Sequence, residues 1–284
     1  MRRLVDGQFP EWRDREVRRV TNTGWNNIMF RLGDDMVVRL PRADAYADQV
    51  SREQEWLPKL AALLPLPIPA PLGAGVPDAG YPLRWSVYRW LPGSDATQEH
   101  YNENVLAREL AEFLAAMAKI NPADGPLPSQ SNFFRGAPPA IYQSQVSAAI
   151  AFLNTSYDQR EVEHIWSAGL DTHGAQQLVW FHGDISLANL LVTDGHLSAV
   201  IDFGNMGVGD RACDLAIAWN VFGTEGRDAF RAACGVDDGT WHRGRCWALW
   251  KALILFTGLV DGHPRDVARA RTVLDEIIQD SRQS

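Results

Sequence analysis

The chain has 284 residues, 46% of them hydrophobic, and its 35 acidic against 27 basic side chains give a formal net charge of -8. That length suffices for one large domain or two moderate lobes. The acidic balance argues against nucleic acid as a partner and favours cationic or neutral small molecules.

In chain order, Met1 to Asp6 carries basic residues with no apolar run behind them, so it does not read as a secretory signal. Glu16 to Val20 and Ile28 to Leu32 are strand-like runs around the polar segment Thr21 to Asn27, and Gly33-Asp34-Asp35 turns into a third strand, Met36 to Pro41. A helix is expected from near Asp44 to about Leu64, with Trp56, Leu60, Leu63 and Leu64 as its apolar stripe. Pro65-Leu66-Pro67-Ile68-Pro69 then ends it. Trp85 to Leu91 reads as a strand broken by Pro92-Gly93. Beyond it, helical patterns occupy 104–120, 139–153, 213–221, 227–234, 240–259 and 266–280, while 121–136 is a Pro, Gly, Ser and Asn-rich loop. Phe133-Phe134 within that loop is expected to pack down, with substrate contact as the alternative. Strands first and helices afterwards make an α+β chain in two lobes, 1–91 and 92–284.

Cys213, Cys234 and Cys246 are odd in number and scattered, giving neither a disulfide framework nor a zinc spacing. The apolar stretch from Cys246 to Val260 is interrupted by Lys251 and falls short of the roughly 20 residues of a membrane span. A cytoplasmic protein with no membrane partner, a monomer or weak dimer, is the expectation.

The chemistry is concentrated between His182 and Gly204. Leu178-Val179-Trp180-Phe181 is a short buried strand, His182-Gly183-Asp184 breaks it, and Asn189 leads into Leu190-Leu191-Val192. Thr193-Asp194-Gly195-His196 is a turn, and Leu197 to Ile201 returns as the hairpin partner, ending at Asp202-Phe203-Gly204. Asn189 and Asp202 are therefore neighbours across the hairpin, one carboxamide and one carboxylate suited to a magnesium ion that arrives with substrate phosphates. Asp184, on the loop beside them, can orient a substrate hydroxyl toward a terminal phosphorus.

From His182 to Leu215 the chain resembles the aminoglycoside phosphotransferase family, small-molecule kinases with the protein-kinase fold. The resemblance implies a two-lobed kinase-like architecture, an antiparallel sheet with one helix above and a mostly helical lobe below. It implies Asp184 as catalytic base, Asn189 and Asp202 as Mg2+ ligands, and Asp214 as a brace for the catalytic loop. Gly183 stands where eukaryotic protein kinases carry arginine, so control by a phosphorylated activation loop is not expected.

The same resemblance assigns the rest of a nucleotide site. Thr23, Gly24 and Asn27 become candidates for the phosphate hairpin, although an ordinary polar turn reads equally well. Arg39 stands where most of the superfamily has lysine; it keeps its charge and binds phosphate bidentately, but it is bulkier. Glu53 is its expected ion-pair partner. Glu55 is the rival, about 200° away around the helix. Arg89, Trp90 and Leu91 form the expected base-binding edge. The implied reaction moves the terminal phosphate of ATP or GTP to a hydroxyl of a small molecule, an aminoglycoside-type antibiotic first. A macrolide, an unassigned metabolite and a non-catalytic nucleotide-binding pseudokinase are the alternatives. Asp158, Glu161, Glu163, Asp237, Asp238, Asp261 and Glu276 are the acids that could hold a cationic acceptor. Trp219, Trp241, Trp247 and Trp250 would instead line an apolar cleft, or simply pack the core.

Overall fold

The computed structural model describes residues 1–21, 26–153, 157–172, 178–262 and 264–283. Its upper part begins with helix α1 (Arg2–Gln8) and strands β1 (Val17–Arg19), β2 (Asn27–Leu32) and β3 (Met36–Pro41). Helix α2 (Ala47–Ala61) and strands β4 (Pro71–Gly75) and β5 (Trp85–Arg89) complete it. The five strands form one antiparallel sheet in the order β1-β2-β3-β5-β4.

Alternation along β3 divides this sheet. Met36, Val38 and Leu40 join Leu4 and Val5 of α1 in a small outer core, whereas Val37 packs with Leu57, Leu60 and Tyr88 in the main core. Arg39, two residues from Val37, consequently projects from the inner face.

The lower part contains β6 (Ser94–Asp95), α3 (Glu103–Ala118), α4 (Gln143–Phe152), α5 (Gln159–Leu170), β7 (Val179–Phe181), β8 (Leu190–Thr193), β9 (His196–Val200) and β10 (Gly207–Gly209). Helices α6 (Ala212–Leu215), α7 (Ile217–Asn220), α8 (Thr224–Cys234), α9 (Asp238–Phe256) and α10 (Pro264–Gln283) follow. The expected hairpin is β8–β9, with Thr193 opposite His196 and left-handed backbone at Asp194 and Gly195, φ +53° and +82°. Both central residues at positive φ are what a tight two-residue hairpin turn demands. Central helix α9 is buried over most of its length, with Trp241, Trp247, Leu249 and Leu253 in the core and Arg243 and Arg245 buried in ion pairs with Asp210 and Asp280.

Several expectations are corrected. The helix predicted to begin near Asp44 is a short 3-10 turn at Asp44–Tyr46 followed by α2, which stops at Ala61 before the proline run. Helices α1 and α5 and strands β4, β6 and β10 are not among the expected elements. Strand β4, Pro-Leu-Gly-Ala-Gly, has no β-branched residue and exists through its pairing with β5. Trp219 and Trp241 pack against each other with ring centres 4.7 Å apart inside the core, and Trp247 is buried too, so these three do not line an apolar cleft. Phe133 and Phe134, expected to pack down, are 39% and 36% exposed.

Candidate active site

A cleft of about 1930 Å³ runs between the sheet and the helices, and Asn27, Arg39, Arg89, Trp90, Leu91, Asp184, Asn189 and Asp202 all line it. Thr23 and Gly24 of the expected phosphate hairpin lie outside the described residues.

The floor of the cleft is built on His182, whose part the sequence reading left unassigned. Its buried ring accepts from the Asp184 N–H at Nδ1, 3.2 Å, and donates from Nε2 to the Ile201 carbonyl, 3.0 Å. Only the neutral imidazole with its proton on Nε2 satisfies both bonds, and burial does lower the His182 pKa. One ring thus ties the loop holding Asp184 to the residue preceding Asp202.

Gly183 is fixed at both ends. Its N–H and that of His182 each donate to the Asp214 carboxylate at 2.7 Å, and its carbonyl accepts from Arg135 Nε at 3.0 Å. With φ at +84° and the Asn205 carbonyl 2.5 Å from where a Cβ would sit, no other residue fits. Asp214, from α6, braces the loop as expected. Asp214→Ala strands two buried N–H groups, so urea denaturation should show a loss of about 3 kcal/mol, one charge-assisted hydrogen bond each. Asp214→Asn, which keeps one acceptor oxygen, should lose less.

Burial first, and then the negative charge of Asp202, hold the Asp184 carboxyl above the ordinary carboxylate range, with Lys251 and Arg135 opposing. Among the described residues nothing hydrogen-bonds its carboxylate, which faces the cleft free to accept. Asn189 Nδ2 donates to the Asp184 carbonyl at 2.9 Å. That bond engages the amide nitrogen and leaves Oδ1 as a candidate cation ligand, in the cleft that Asp202 also lines. Two hard oxygen donors and an open cleft suit Mg2+, which keeps water and substrate phosphate in its remaining positions.

Arg39 spans both lobes. Nη1 meets Glu53 at 3.1 Å and Nη2 meets Asp202 at 2.7 Å. Burial works against its charge, but Glu53 and then Asp202 more than offset this, and its pKa is raised. Glu53 is the partner, held also by the Tyr88 hydroxyl, while Glu55 turns outward to Lys59 at 3.4 Å. Two further residues of α2 lock the helix onto the Asp-Phe-Gly turn: Gln49 donates to Asn205 at 3.1 Å and Arg52 to the Gly204 carbonyl.

At the edge expected to bind the base, two of the three N–H groups are already engaged. Arg89 donates to Ala70 at 2.9 Å and Trp90 to Asp35 at 2.8 Å. The Leu91 N–H is left as the donor on this edge.

None of the candidate acids for a cationic acceptor lines the cleft. Asp158 and Asp237 cap α5 and α9. Glu161, Asp238 and Glu276 pair with Arg282, Arg231 and Arg227. Neither Glu163 nor Asp261 reaches the cleft, whose additional acids are Asp95, Glu99, Glu103 and Asp266. Lys251 also lines it, paired with Asp266 at 3.0 Å. A single charge inside the apolar stretch from Cys246 to Val260 was its signal.

A model of the phosphotransferase enzyme family matches residues 17–248. Aminoglycoside 3'-phosphotransferases from Escherichia coli and Salmonella typhimurium are 32% and 31% identical over 189 residues, 62% of this chain. The matched region spans 65% of the length of each of these relatives. Among solved structures, the GDP and kanamycin complex of APH(2'')-IIIa superposes with a TM-score of 0.73 at 19% identity, covering 98% of this chain and 97% of that one. Macrolide 2'-phosphotransferase MphH from Brachybacterium faecium gives 0.60 at 21% identity, covering 91% and 92%. At such identities these two speak for the fold.

Proposed function

The chain belongs to the phosphotransferase enzyme family, and from that premise we propose that it moves the terminal phosphate of ATP or GTP, with Mg2+, onto a hydroxyl of an aminoglycoside-type antibiotic. One observation carries this reading. Asp184 faces the same cleft as Asn189 and Asp202, and Arg39 with its Glu53 anchor closes that cleft from above.

In this reading Asp184 accepts the hydrogen bond of the acceptor hydroxyl and aims it at the phosphorus, which is mostly a positioning task. Asn189 and Asp202 hold the metal, which supplies charge neutralisation on the phosphates. Arg39 serves the phosphates with a fixed, charged fork, and the backbone at Leu91 meets the base. The curated relatives support the acceptor class, since both are aminoglycoside 3'-phosphotransferases. The absence, among the described residues, of any helix long and apolar enough to cross a membrane is compatible with action in the cytoplasm, as are three free cysteines.

The test is nucleotide consumption with Mg2+ and ATP or GTP over a panel of aminoglycosides, with the product identified by phosphorus NMR. Acceptor-dependent turnover to a phosphate monoester is expected. Tight nucleotide binding without acceptor-stimulated turnover would overturn the reading in favour of a pseudokinase.

A further inference from the structure

A second, smaller cavity of about 330 Å³ opens beside the catalytic loop, walled by Phe133, Phe134, Arg135, Tyr142, Gln145 and Trp250. Phe133 and Phe134 are both left-handed, at φ +53° and +51°. Bulky side chains rarely adopt that conformation, and outliers of this kind gather at ligand sites. The surroundings enforce it: Ser129 and Asn132 cap each other reciprocally, the Phe134 N–H donates to Ser129 at 2.8 Å, and the Tyr142 hydroxyl donates to the Phe133 carbonyl at 2.7 Å. The result is two aromatic rings displayed to solvent, where the core gains little from them.

The wall reaches the reaction centre through Arg135. Its guanidinium lies 5.1 and 5.2 Å from the ring centres of Trp247 and Trp250, and its Nε holds the Gly183 carbonyl, the peptide preceding Asp184. Its Nη1 is buried with no hydrogen-bond partner among the described residues. Lys251, next to Trp250, lines the main cleft, and Tyr46 of the upper lobe faces Phe133 with ring centres 6.5 Å apart. The cavity wall thus adjoins the main cleft along α9, at Trp250 and Lys251, and meets the upper lobe where Tyr46 faces Phe133.

We propose that this cavity is a second acceptor subsite, which takes an uncharged ring of the acceptor with its apolar face on the displayed aromatics and a ring oxygen toward Arg135. The proposal rests on the phosphotransferase reading. Among the described residues the one charged side chain in the wall is a cation, and its guanidinium already lies against the indole faces that would otherwise attract an ammonium group, so a ring bearing an amine is disfavoured here. A ring seated against Arg135 would also touch the group that fixes the Gly183 peptide, coupling acceptor binding to the placement of Asp184.

Neamine and ribostamycin differ by one uncharged ribose ring, and they test this directly. Calorimetric Kd values for both are measured on the wild-type chain and on Phe134→Gly, alongside melting temperature and phosphorylation rates. The preference for ribostamycin over neamine should fall about fivefold in the variant, the size of one lost aromatic contact. The melting temperature should hold or rise, because glycine relieves the left-handed backbone. An unchanged preference, or a wild-type chain that binds the two equally or binds neither, overturns the subsite. Failure of the phosphotransferase reading is separately visible: the wild-type chain would phosphorylate neither compound, whereas the two Kd values would still judge the cavity.

Discussion

Asp184→Asn should lower the rate of acceptor phosphorylation by about a thousandfold, the scale of a removed general base, and leave nucleotide affinity within about twofold of wild type. The same substitution should raise stability. The Asp184 carboxyl titrates above its ordinary range because burial and Asp202 disfavour its charge. A folded pKa above the unfolded one means that stability present at low pH is lost as pH rises through the folded value. At neutral pH the wild-type chain carries that cost and the neutral isostere does not. The melting temperature of Asp184→Asn should exceed that of wild type at neutral pH, and the two should converge as pH falls through the folded pKa. A variant that transfers phosphate at the wild-type rate would remove Asp184 from the role of base.

What the sequence made legible was whatever depends on short-range pattern. The β8–β9 hairpin, with Asp194-Gly195 at its turn, brings Asn189 beside Ile201 through a 2.9 Å backbone bond, so the two metal-ligand candidates were adjacent by register alone. Helix periodicity separated Glu53 from Glu55. Interactions between distant segments were hidden. Helix α1 is too short for a pattern and is held by two residues, Leu4 and Val5, packed on the outer face of the sheet. Arg135 comes from a loop whose composition suggested only irregularity, yet it reaches 48 residues along the chain to Gly183. Helix α5 is the exception. Its buried Val162, Ile165, Trp166 and Gly169, with Asp158 as N-cap, follow a 3.6-residue period that the sequence displays plainly.

The sharpest test of the metal assignment is a change of sign at Asp202. In the structure this carboxylate has one strong partner, Arg39 Nη2 at 2.7 Å, and its side chain keeps 29% of its surface in solvent. Without Mg2+, a carboxylate at this position repels the phosphates of a bound nucleotide and engages part of the cation meant to attract them. With Mg2+, it becomes the anionic ligand that anchors the metal and, through it, the phosphates. Asp202→Ala should therefore weaken Mg-nucleotide binding by at least about tenfold, close to 1.4 kcal/mol, while metal-free nucleotide binds as well as before or better. Arg39 retains Glu53 at 3.1 Å, so the buried guanidinium keeps a counter-charge and the fold survives the change. Calorimetric titrations of ATP and GTP with Mg2+ and with a chelator separate the two effects. Equal weakening in both conditions would assign Asp202 to the architecture of the cleft, and undiminished dependence on Mg2+ would move the metal to other ligands.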